Sequence, residues 1–170
     1  YSIGYFSNEN NNIKQKFNIF IALTLGSTIS LAFADNLVTL FIFYEFITIL
    51  TAPLVALHSN SNSRRAGKIY LAYLLGTSLL MFLPAVIITY YLNNDLTFSS
   101  QPILGFIKAN KIYLVILFFM YVFGIGKTAI MPLHKWLVEA MIAPAPVSGL
   151  LHAVAVVKAG IFCLLKIMIY

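Results

Sequence analysis

The sequence predicts an all-α membrane protein, and two observations carry this prediction. Of the 170 residues, 61% are hydrophobic and only 9% are charged, whereas a soluble domain carries about 25% charged residues. The apolar runs reach about 20 residues without alternating, unlike the roughly ten-residue strands of a membrane β-barrel. Because a backbone in lipid must satisfy its own hydrogen bonds, these runs are predicted to be transmembrane helices.

Five transmembrane segments follow from the apolar runs. They cover residues 17–34, 37–57, 69–92, 111–140 and 147–170, after a polar N-terminal segment at 1–16. Asp35 and Asn36 supply a tight turn between the first two segments, because both residue types favour turns. The run HSNSNSRRAGK separates the second segment from the third, and polar residues 93–110 precede the fourth. Since the sequence opens with Tyr1 rather than Met, we expect a piece of a longer protein or a processed chain.

The fourth segment is predicted to be a broken helix. Gly124 and Gly126 loosen the chain before Lys127. Pro132 has no N–H, and its ring clashes with the carbonyl of Thr128. A carbonyl freed in this way needs another partner or water. Broken helices beside buried charges are typical of transporters, so an interruption is predicted just after Lys127.

The basic residues in the loops predict the orientation. Five lie on one side and two on the other, namely Lys14, Lys16, Arg64, Arg65 and Lys68 against Lys108 and Lys111. Because basic loops stay in the cytoplasm, the start of this chain is placed there. Aromatic residues near the ends of segments are interpreted as interfacial anchors, namely Tyr70, Tyr90, Tyr91, Tyr113 and Trp136.

Charged residues inside the apolar segments are the strongest functional signal. Glu45, Lys127 and Lys158 lie near the middle of their segments, where a charge costs about 2.5–3.5 kcal/mol on insertion scales. An isolated carboxylate in lipid would be neutral, and it stays charged only beside a cation or water. Glu45 is therefore interpreted as a partner that tunes the protonation of Lys127. The alternative is a static ion pair that only fixes helix packing. Three such charges predict a protein that moves protons or cations.

His152 shares the fifth segment with Lys158 and precedes it by six residues. On a regular helix this spacing is about 9 Å along the axis and about 120° around it, so water rather than a direct bond would link the two. The pair is interpreted as a proton relay, with a satisfied core histidine as the alternative. His134 and Pro132 lie beside the break. His134 is interpreted as an interfacial residue, with an accessory role in proton movement as the alternative.

Other functional classes are excluded by what the sequence lacks. A single cysteine, Cys163, gives neither a disulfide framework nor a multi-cysteine metal site. The sequence holds no P-loop, no dinucleotide-binding GxGxxG and no His pair at metal-ligand spacing. We therefore expect no cofactor, no metal and no catalytic or redox site in this chain. The net charge of +6 does not indicate nucleic-acid binding, because the basic residues are dispersed among short loops and membrane segments.

A long motif in the second half of the chain resembles a known family. The run is GIGKTAIMPLHKWLVEAMIAPAPVSGLLHAVAVVKAGIF, and it resembles the signature of the proton-conducting membrane transporter family. That family includes the antiporter-like subunits of respiratory complex I and the large subunits of Mrp-type multisubunit cation/proton antiporters. FIFYEFITILTAPLVAL and RRAGKIYLAYLLGTSLL are also similar to family helices. The resemblance covers residues 17–170 and is greatest to the D-type member of the Mrp large subunits.

The resemblance implies one five-helix repeat of an antiporter-like subunit, with a broken helix in it. The family's proton-path residues match Glu45, Lys127, His152 and Lys158, and Lys68 matches a basic residue at a helix start. The chain departs from the family pattern after HKWL, where Val138 and Glu139 replace the usual proline and the frequent aspartate. The family's second repeat has no counterpart here, so this chain is expected to hold half of a proton path.

These observations together predict a subunit of a multisubunit monovalent cation/proton antiporter. The resemblance implies a multi-pass protein of the bacterial inner membrane, with lipid, other membrane subunits, protons and Na⁺ or K⁺ as partners. One alternative is a proton-pumping, antiporter-like subunit of NADH–quinone oxidoreductase. The other alternative is a non-conducting membrane scaffold, in which the buried charges only fix helix register.

Overall fold

Helices dominate the part of the chain that the structure describes. The computed structural model describes residues 4, 11–57, 61–98 and 111–169. Within these residues the α-helices are α1 (Asn11–Ala32), α2 (Leu37–Val55), α3 (Ser61–Thr77), α4 (Leu83–Asn93), α5 (Lys111–Gly124), α6 (Lys135–Ala140), α7 (Ala145–Leu150) and α8 (Val157–Ile169). The prediction of an all-α fold is confirmed for this part of the chain, which contains no β-strand and a single isolated β-bridge.

Polar side chains within α1 are satisfied by their own helix. The hydroxyl of Thr24 donates to the carbonyl of Phe20 at 2.6 Å, and the hydroxyl of Ser30 donates to the carbonyl of Gly26 at 3.0 Å. Such bonds to the preceding turn let hydroxyl residues sit in an apolar environment without an unpaired donor. The composition of α1 is therefore compatible with a helix in lipid despite its serines and threonines.

The connection between α1 and α2 is short and capped. The side chain of Asn36 accepts a 2.7 Å hydrogen bond from the backbone N–H of Thr39, which makes Asn36 the N-cap of α2. The chain after α4 runs beside this connection, where the N–H of Phe98 donates to the carbonyl of Asp35 at 2.9 Å. The isolated β-bridge between Asn36 and Thr97 belongs to the same contact. One end of the bundle is thus fixed by backbone hydrogen bonds.

The helices α3 and α4 form one continuous rod of 33 residues through a π-helical turn at Ser78–Phe82. Helix α5 crosses this turn closely at Gly124. A Cβ built on Gly124 would lie 2.5 Å from the backbone nitrogen of Phe82, which is closer than two unbonded heavy atoms approach. Gly124 is therefore required by this crossing, and α5 ends there.

Two rods in the described part are long and apolar enough to cross a membrane, Leu37–Val55 and Ser61–Asn93. The apolar stretch Ile112–Gly124 is shorter. The predicted count of five membrane spans is not established by this result and stays a prediction. Parts of the polar N-terminal segment and of the 93–110 connection, with Lys108, lie outside the described residues.

The outer surface of the bundle is apolar. Large hydrophobic side chains point outward, among them Phe33, Leu80, Tyr91, Ile112 and Met131, each at least two-thirds exposed. A monomeric soluble protein rarely exposes apolar surface on this scale. The surface is what contact with lipid or with other membrane segments requires.

The prediction of an interfacial anchor is wrong for two residues, Trp136 and Tyr70. Trp136 and Tyr70 are fully buried and pack edge to face, with ring centroids 5.5 Å apart. The reason is that α6 folds back against α3, which turns the Trp136 ring into the bundle. The other three anchors, Tyr90, Tyr91 and Tyr113, are exposed, which is compatible with an interfacial position.

Candidate functional site

The site is built on the interruption between α5 and α6. After Gly124 the chain forms a single 3₁₀ turn, Gly126–Thr128, and then passes through Ala129 in the left-handed conformation, with φ of 54°. Lys127 lies in the 3₁₀ turn. The helix therefore ends before Lys127, earlier than the sequence predicts, because Gly124 is pressed against another backbone. Pro132 is exposed in the turn that follows.

Packing around Gly126 holds this turn in place. A Cβ on Gly126 would collide with the hydroxyl of Thr77 on α3. The carbonyl of Gly126 accepts a 3.0 Å hydrogen bond from the indole N–H of Trp136. The same carbonyl also accepts a 3.1 Å hydrogen bond from the backbone N–H of Ala129. The indole is therefore a second donor to this carbonyl, and it ties Trp136 to the 3₁₀ turn.

Lys127 is fully buried, and Tyr44 on α2 contacts both its ammonium and its backbone. The Lys127 ammonium donates to the carbonyl oxygen of Tyr44. The same ammonium lies 3.5 Å from the centroid of the Tyr44 ring. The backbone N–H of Lys127 donates to the Tyr44 hydroxyl at 3.3 Å. Three separate groups of one tyrosine therefore surround the lysine, and they provide cation–π and dipole stabilisation but no counter-charge.

Glu45 follows Tyr44 and is half-buried. It lies close enough to Lys127 for the two side chains to interact electrostatically when both are charged, but no salt bridge joins the two within the described residues. Both carboxylate oxygens are enclosed and have no hydrogen-bond partner there. The Ser78 hydroxyl lies beside the carboxylate but donates to the Leu75 carbonyl at 3.1 Å. The structure thus brings Glu45 and Lys127 near each other without pairing them.

Helix α8 closes the other side of Lys127. A Cβ on Gly160 would lie 2.9 Å from the Cβ and the backbone carbon of Lys127. Cys163, one turn further along α8, is also buried. Glycine at position 160 therefore lets α8 approach the turn, which gives the VKAG sequence a packing reason.

His152 and Lys158 are less buried than Lys127. His152 lies in a second π-helical turn, Leu151–Ala155, where its Nε2 atom is enclosed and without a hydrogen-bond partner among the described residues. Lys158 is exposed on α8. No hydrogen bond or ion pair links Lys127, His152 and Lys158 within the part of the chain described. Lys158 lies in the middle of an apolar sequence, and among the described residues its side chain faces outward.

The accessory residues lie outside the buried site. Lys68, His134 and Pro132 are all exposed. Tyr44 is the residue that the sequence does not single out, since an aromatic residue in an apolar helix carries no signal of its own. Its position directly before Glu45 was the one available indication. Among the described residues there is no group of three or more His, Cys, Asp or Glu that could hold a metal ion.

Comparison with known proteins identifies relatives for most of the chain. Residues 34–170 match the family described as "NADH:quinone oxidoreductase/Mrp antiporter, TM". Proteins of Staphylococcus aureus strains JH9 and NCTC 8325 / PS 47, both named "Putative antiporter subunit mnhA2", are 30% identical over 169 residues. The match covers 98% of this chain but 21% of each relative, so the chain spans about a fifth of their length.

These matches show the family to which the chain belongs. They do not show the D-type subunit that the resemblance implied. The relatives carry the name mnhA2, and the family description covers both antiporters and NADH:quinone oxidoreductase. The family is one of membrane proteins, which agrees with the two apolar rods and with the outward-facing hydrophobic side chains. The chain therefore belongs to the NADH:quinone oxidoreductase/Mrp antiporter family and is an antiporter-like integral membrane protein.

Proposed function

We propose that this chain is part of a subunit of a multisubunit monovalent cation/proton antiporter and carries protons through Glu45, Lys127, His152 and Lys158. Membership of the family supports an antiporter-like subunit, and the residues of the path are the proposal. The observation that carries it is the state of Lys127, whose ammonium is fully buried beside a helix break without a salt bridge to any described carboxylate. The ammonium contacts neutral groups of Tyr44, and the nearby Glu45 carboxylate is not bonded to it. This arrangement supports a proton that is exchanged rather than one that is fixed in an ion pair.

Glu45 is proposed to control that proton. In a low-dielectric interior, the interaction between two charges changes strongly with their separation and with the protonation of either group. An ionised Glu45 close to Lys127 stabilises the ammonium. Protonation or withdrawal of Glu45 removes this stabilisation, and Lys127 then releases its proton. The unpartnered carboxylate oxygens of Glu45 support this role, since a carboxylate locked by hydrogen bonds would respond less.

His152 and Lys158 are proposed to take the proton onward. The enclosed and unpartnered Nε2 of His152 supports a histidine that accepts a proton through water, because imidazole titrates near neutral pH. Lys158 is exposed on α8, and an exposed lysine in an apolar helix needs a polar neighbour. We propose that this neighbour belongs to the remainder of the full-length subunit, where the path continues.

The complex, the membrane and the exchanged ions are proposed from the sequence and from the relatives. The relatives are about five times as long, so the active unit is a longer protein within a complex of membrane subunits. We propose a bacterial inner-membrane location with the start of this chain on the cytoplasmic side, and protons exchanged for Na⁺ or K⁺. With no redox group expected in this chain, the driving force is an ion gradient or a partner subunit.

A second candidate is an antiporter-like subunit of NADH:quinone oxidoreductase. The family description that matches residues 34–170 names that complex together with the Mrp antiporters, and this observation favours keeping the candidate. The same proton path would then be powered by NADH oxidation in other subunits. A non-conducting scaffold is the third candidate.

The deciding experiment measures ΔpH in inverted membrane vesicles that hold the full-length protein in its complex. In energised vesicles, addition of Na⁺ or K⁺ collapses ΔpH if the complex is an antiporter, and Lys127→Ala abolishes this collapse. Lys135→Ala is the matched control, because Lys135 lies in the same interrupted region but is exposed. Normal salt-induced flux in a fully assembled Lys127→Ala complex would refute the proposed path.

The same vesicles separate the other candidates. Lysine-dependent formation of ΔpH with NADH, and no response to salt, would assign the chain to NADH:quinone oxidoreductase. A double variant, Glu45→Gln with Lys127→Met, neutralises both buried charges at nearly constant volume. Full activity of this double variant would mean that the two charges have only a structural role, as the scaffold candidate requires.

A further inference from the structure

Tyr44 makes the polar contacts that the described residues give to the Lys127 ammonium, and it also contacts the lysine backbone. The carbonyl oxygen of Tyr44 accepts from the ammonium, the ring lies 3.5 Å from it, and the hydroxyl accepts from the lysine N–H. Tyr44 is itself fully buried. Its ring is held by an edge-to-face contact with Phe82 at 5.3 Å. The ring is therefore fixed in place by the core and does not follow the lysine.

The Lys127 ammonium contacts Tyr44 in the structure, and this contact is an alternative to an ion pair with Glu45. The two residues are neighbours on α2, and the carboxylate of Glu45 has no hydrogen bond among the described residues while the ammonium contacts Tyr44. A lysine that could only pair with Glu45 would have no stable place when Glu45 is protonated. The ring and the carbonyl of Tyr44 offer such a place, because both stabilise a cation without being charged.

We propose that Tyr44 is a positioning residue that holds the protonated Lys127 side chain when it is not paired with Glu45. This inference rests on the proposed proton path and adds a second docking position to it. The lysine then moves between two neighbouring residues of α2, and the ring of Tyr44 keeps the ammonium charged while Glu45 changes its protonation state. Without the ring, the unpaired ammonium loses its proton more easily.

Other groups that act on Lys127 stay in place in the variants that test this role. Glu45 on α2 lies near the lysine, and the buried thiol of Cys163 lies on α8. The hydroxyl groups of Tyr70 on α3 and Thr51 on α2 share a 2.7 Å hydrogen bond. A change confined to the π-electrons of ring 44 therefore isolates the cation–π contact from these groups.

The test is the pH profile of salt-induced proton flux by the full-length complex in vesicles. Fluorinated phenylalanines at position 44, incorporated as non-natural amino acids, keep the shape of the ring and withdraw its π-electrons. With Tyr44→Phe as the reference, trifluorophenylalanine should move the alkaline limb of the profile to lower pH, and Tyr44→Leu should move it by about one pH unit. The direction follows because a less stabilised ammonium is lost at a lower pH.

A matched control distinguishes this effect from damage to the core. Tyr121 is also a buried tyrosine and packs edge to face on the same Phe82, at 5.9 Å, but its hydroxyl shares a hydrogen bond with Thr89. Tyr121→Leu therefore removes a similar ring without removing a contact of Lys127. We expect this variant to keep the position of the alkaline limb, even if the amount of assembled complex falls.

The outcomes separate the two proposals. If Lys127→Ala abolishes flux and the fluorinated series shifts the profile stepwise, both stand. If Lys127→Ala abolishes flux but the fluorinated rings leave the profile where Tyr44→Phe has it, the role of Tyr44 is overturned and the proton path stands. If an assembled Lys127→Ala complex keeps its flux, both proposals fail. Because fluorinated rings preserve shape, the series decides the question even if Tyr44→Leu does not assemble.

Discussion

The indole N–H of Trp136 donates a 3.0 Å hydrogen bond to the carbonyl oxygen of Gly126, the residue directly before Lys127. Trp136 also packs edge to face on Tyr70 of α3. The short helix α6 is thereby fastened at the same time to the 3₁₀ turn and to the long α3–α4 rod. The motif HKWL, which follows the break, therefore positions the lysine of the break through its tryptophan.

Replacing Trp136 by phenylalanine should separate these two roles. Phenylalanine keeps an aromatic ring against Tyr70 but removes the indole donor from the buried carbonyl of Gly126, which keeps only its 3.1 Å hydrogen bond from the backbone N–H of Ala129. Loss of one such bond costs about 0.5–1.5 kcal/mol. We expect a lower thermal unfolding temperature of the purified complex and reduced flux. Trp136→Leu removes both the hydrogen bond and the ring contact, so its unfolding temperature and its flux should be lower than those of Trp136→Phe. Equal stability of Trp136→Phe and wild type would show that this hydrogen bond does not hold the turn.

Lys166 links the end of α1 to α8. Its ammonium donates to the carbonyl of Ala34 at 2.6 Å and to the carbonyl of Ala32 at 3.3 Å, so it satisfies carbonyls that the end of a helix leaves free. Lys166→Met keeps the length of the side chain and should destabilise the protein by about 1–3 kcal/mol, because hydrogen bonds to a charged donor are lost.

Thermal unfolding in detergent measures the effect of Lys166→Met. Lys16→Met is the control, since Lys16 is an exposed lysine of α1 and its replacement changes the net charge equally. A similar loss of stability in both variants would assign the effect to net charge rather than to the bonds with Ala32 and Ala34.

Asp95 stabilises the connection after α4 in a pH-dependent way. Hydrogen bonds from the backbone N–H of Thr97 at 3.0 Å, and from its hydroxyl at 2.8 Å, hold the pKa of Asp95 below its ordinary value of 3.8. A lowered pKa in the folded state means that the stabilisation is present above about pH 4 and is lost as pH falls through the folded-state pKa.

Hydrogen exchange at the Thr97 and Phe98 amides tests this dependence. Asp95→Asn should speed their exchange, relative to wild type, at neutral pH. The ratio of the two rates should approach one at a pH well below 3.8, where wild-type Asp95 is protonated as well. A ratio that does not change with pH would contradict the role of the carboxylate charge.

The fold class was predictable because hydropathy alone decides it, and the broken helix because glycine and proline mark it. The start of the break was not predictable, since the close approach of Phe82 to Gly124 is a tertiary contact. Trp136 was misplaced for a similar reason. A tryptophan near the end of an apolar segment satisfies the rule for interfacial anchors, and only the fold of α6 against α3 reveals that its indole is buried.

The sequence identified the charged residues of the site but not the residues that they contact. Glu45 and Lys127 stand out because ionisable residues are rare in apolar segments. Segments that are apolar on every side give no periodicity, so the sequence does not tell a charge that faces the bundle from one that faces outward. This is why the buried Lys127 and the exposed Lys158 look alike in the sequence. Tyr44 carries no charge and is invisible to the same argument.

Gly160 and Lys127 provide the sharpest test of how α8 supports the site. A Cβ on Gly160 would lie 2.9 Å from the backbone of Lys127 and from the backbone nitrogen of Thr128. These are backbone atoms that cannot rotate away, so Gly160→Ala must displace α8 or the 3₁₀ turn, at a cost of about 1–3 kcal/mol. Displacement of the turn moves Lys127 from Tyr44, and we expect proton flux to fall sharply in complexes that still assemble.

Gly149→Ala is the matched control for this change. Gly149 lies in α7, and a Cβ built on it meets no atom within 4 Å. Alanine also favours helix over glycine by about 1 kcal/mol, so this variant should keep or gain stability and retain its flux. Both variants add one methyl group to a helical glycine of the same chain, and they differ in what the methyl meets. Similar flux in the two variants would show that the close packing of α8 on Lys127 is not needed for transport.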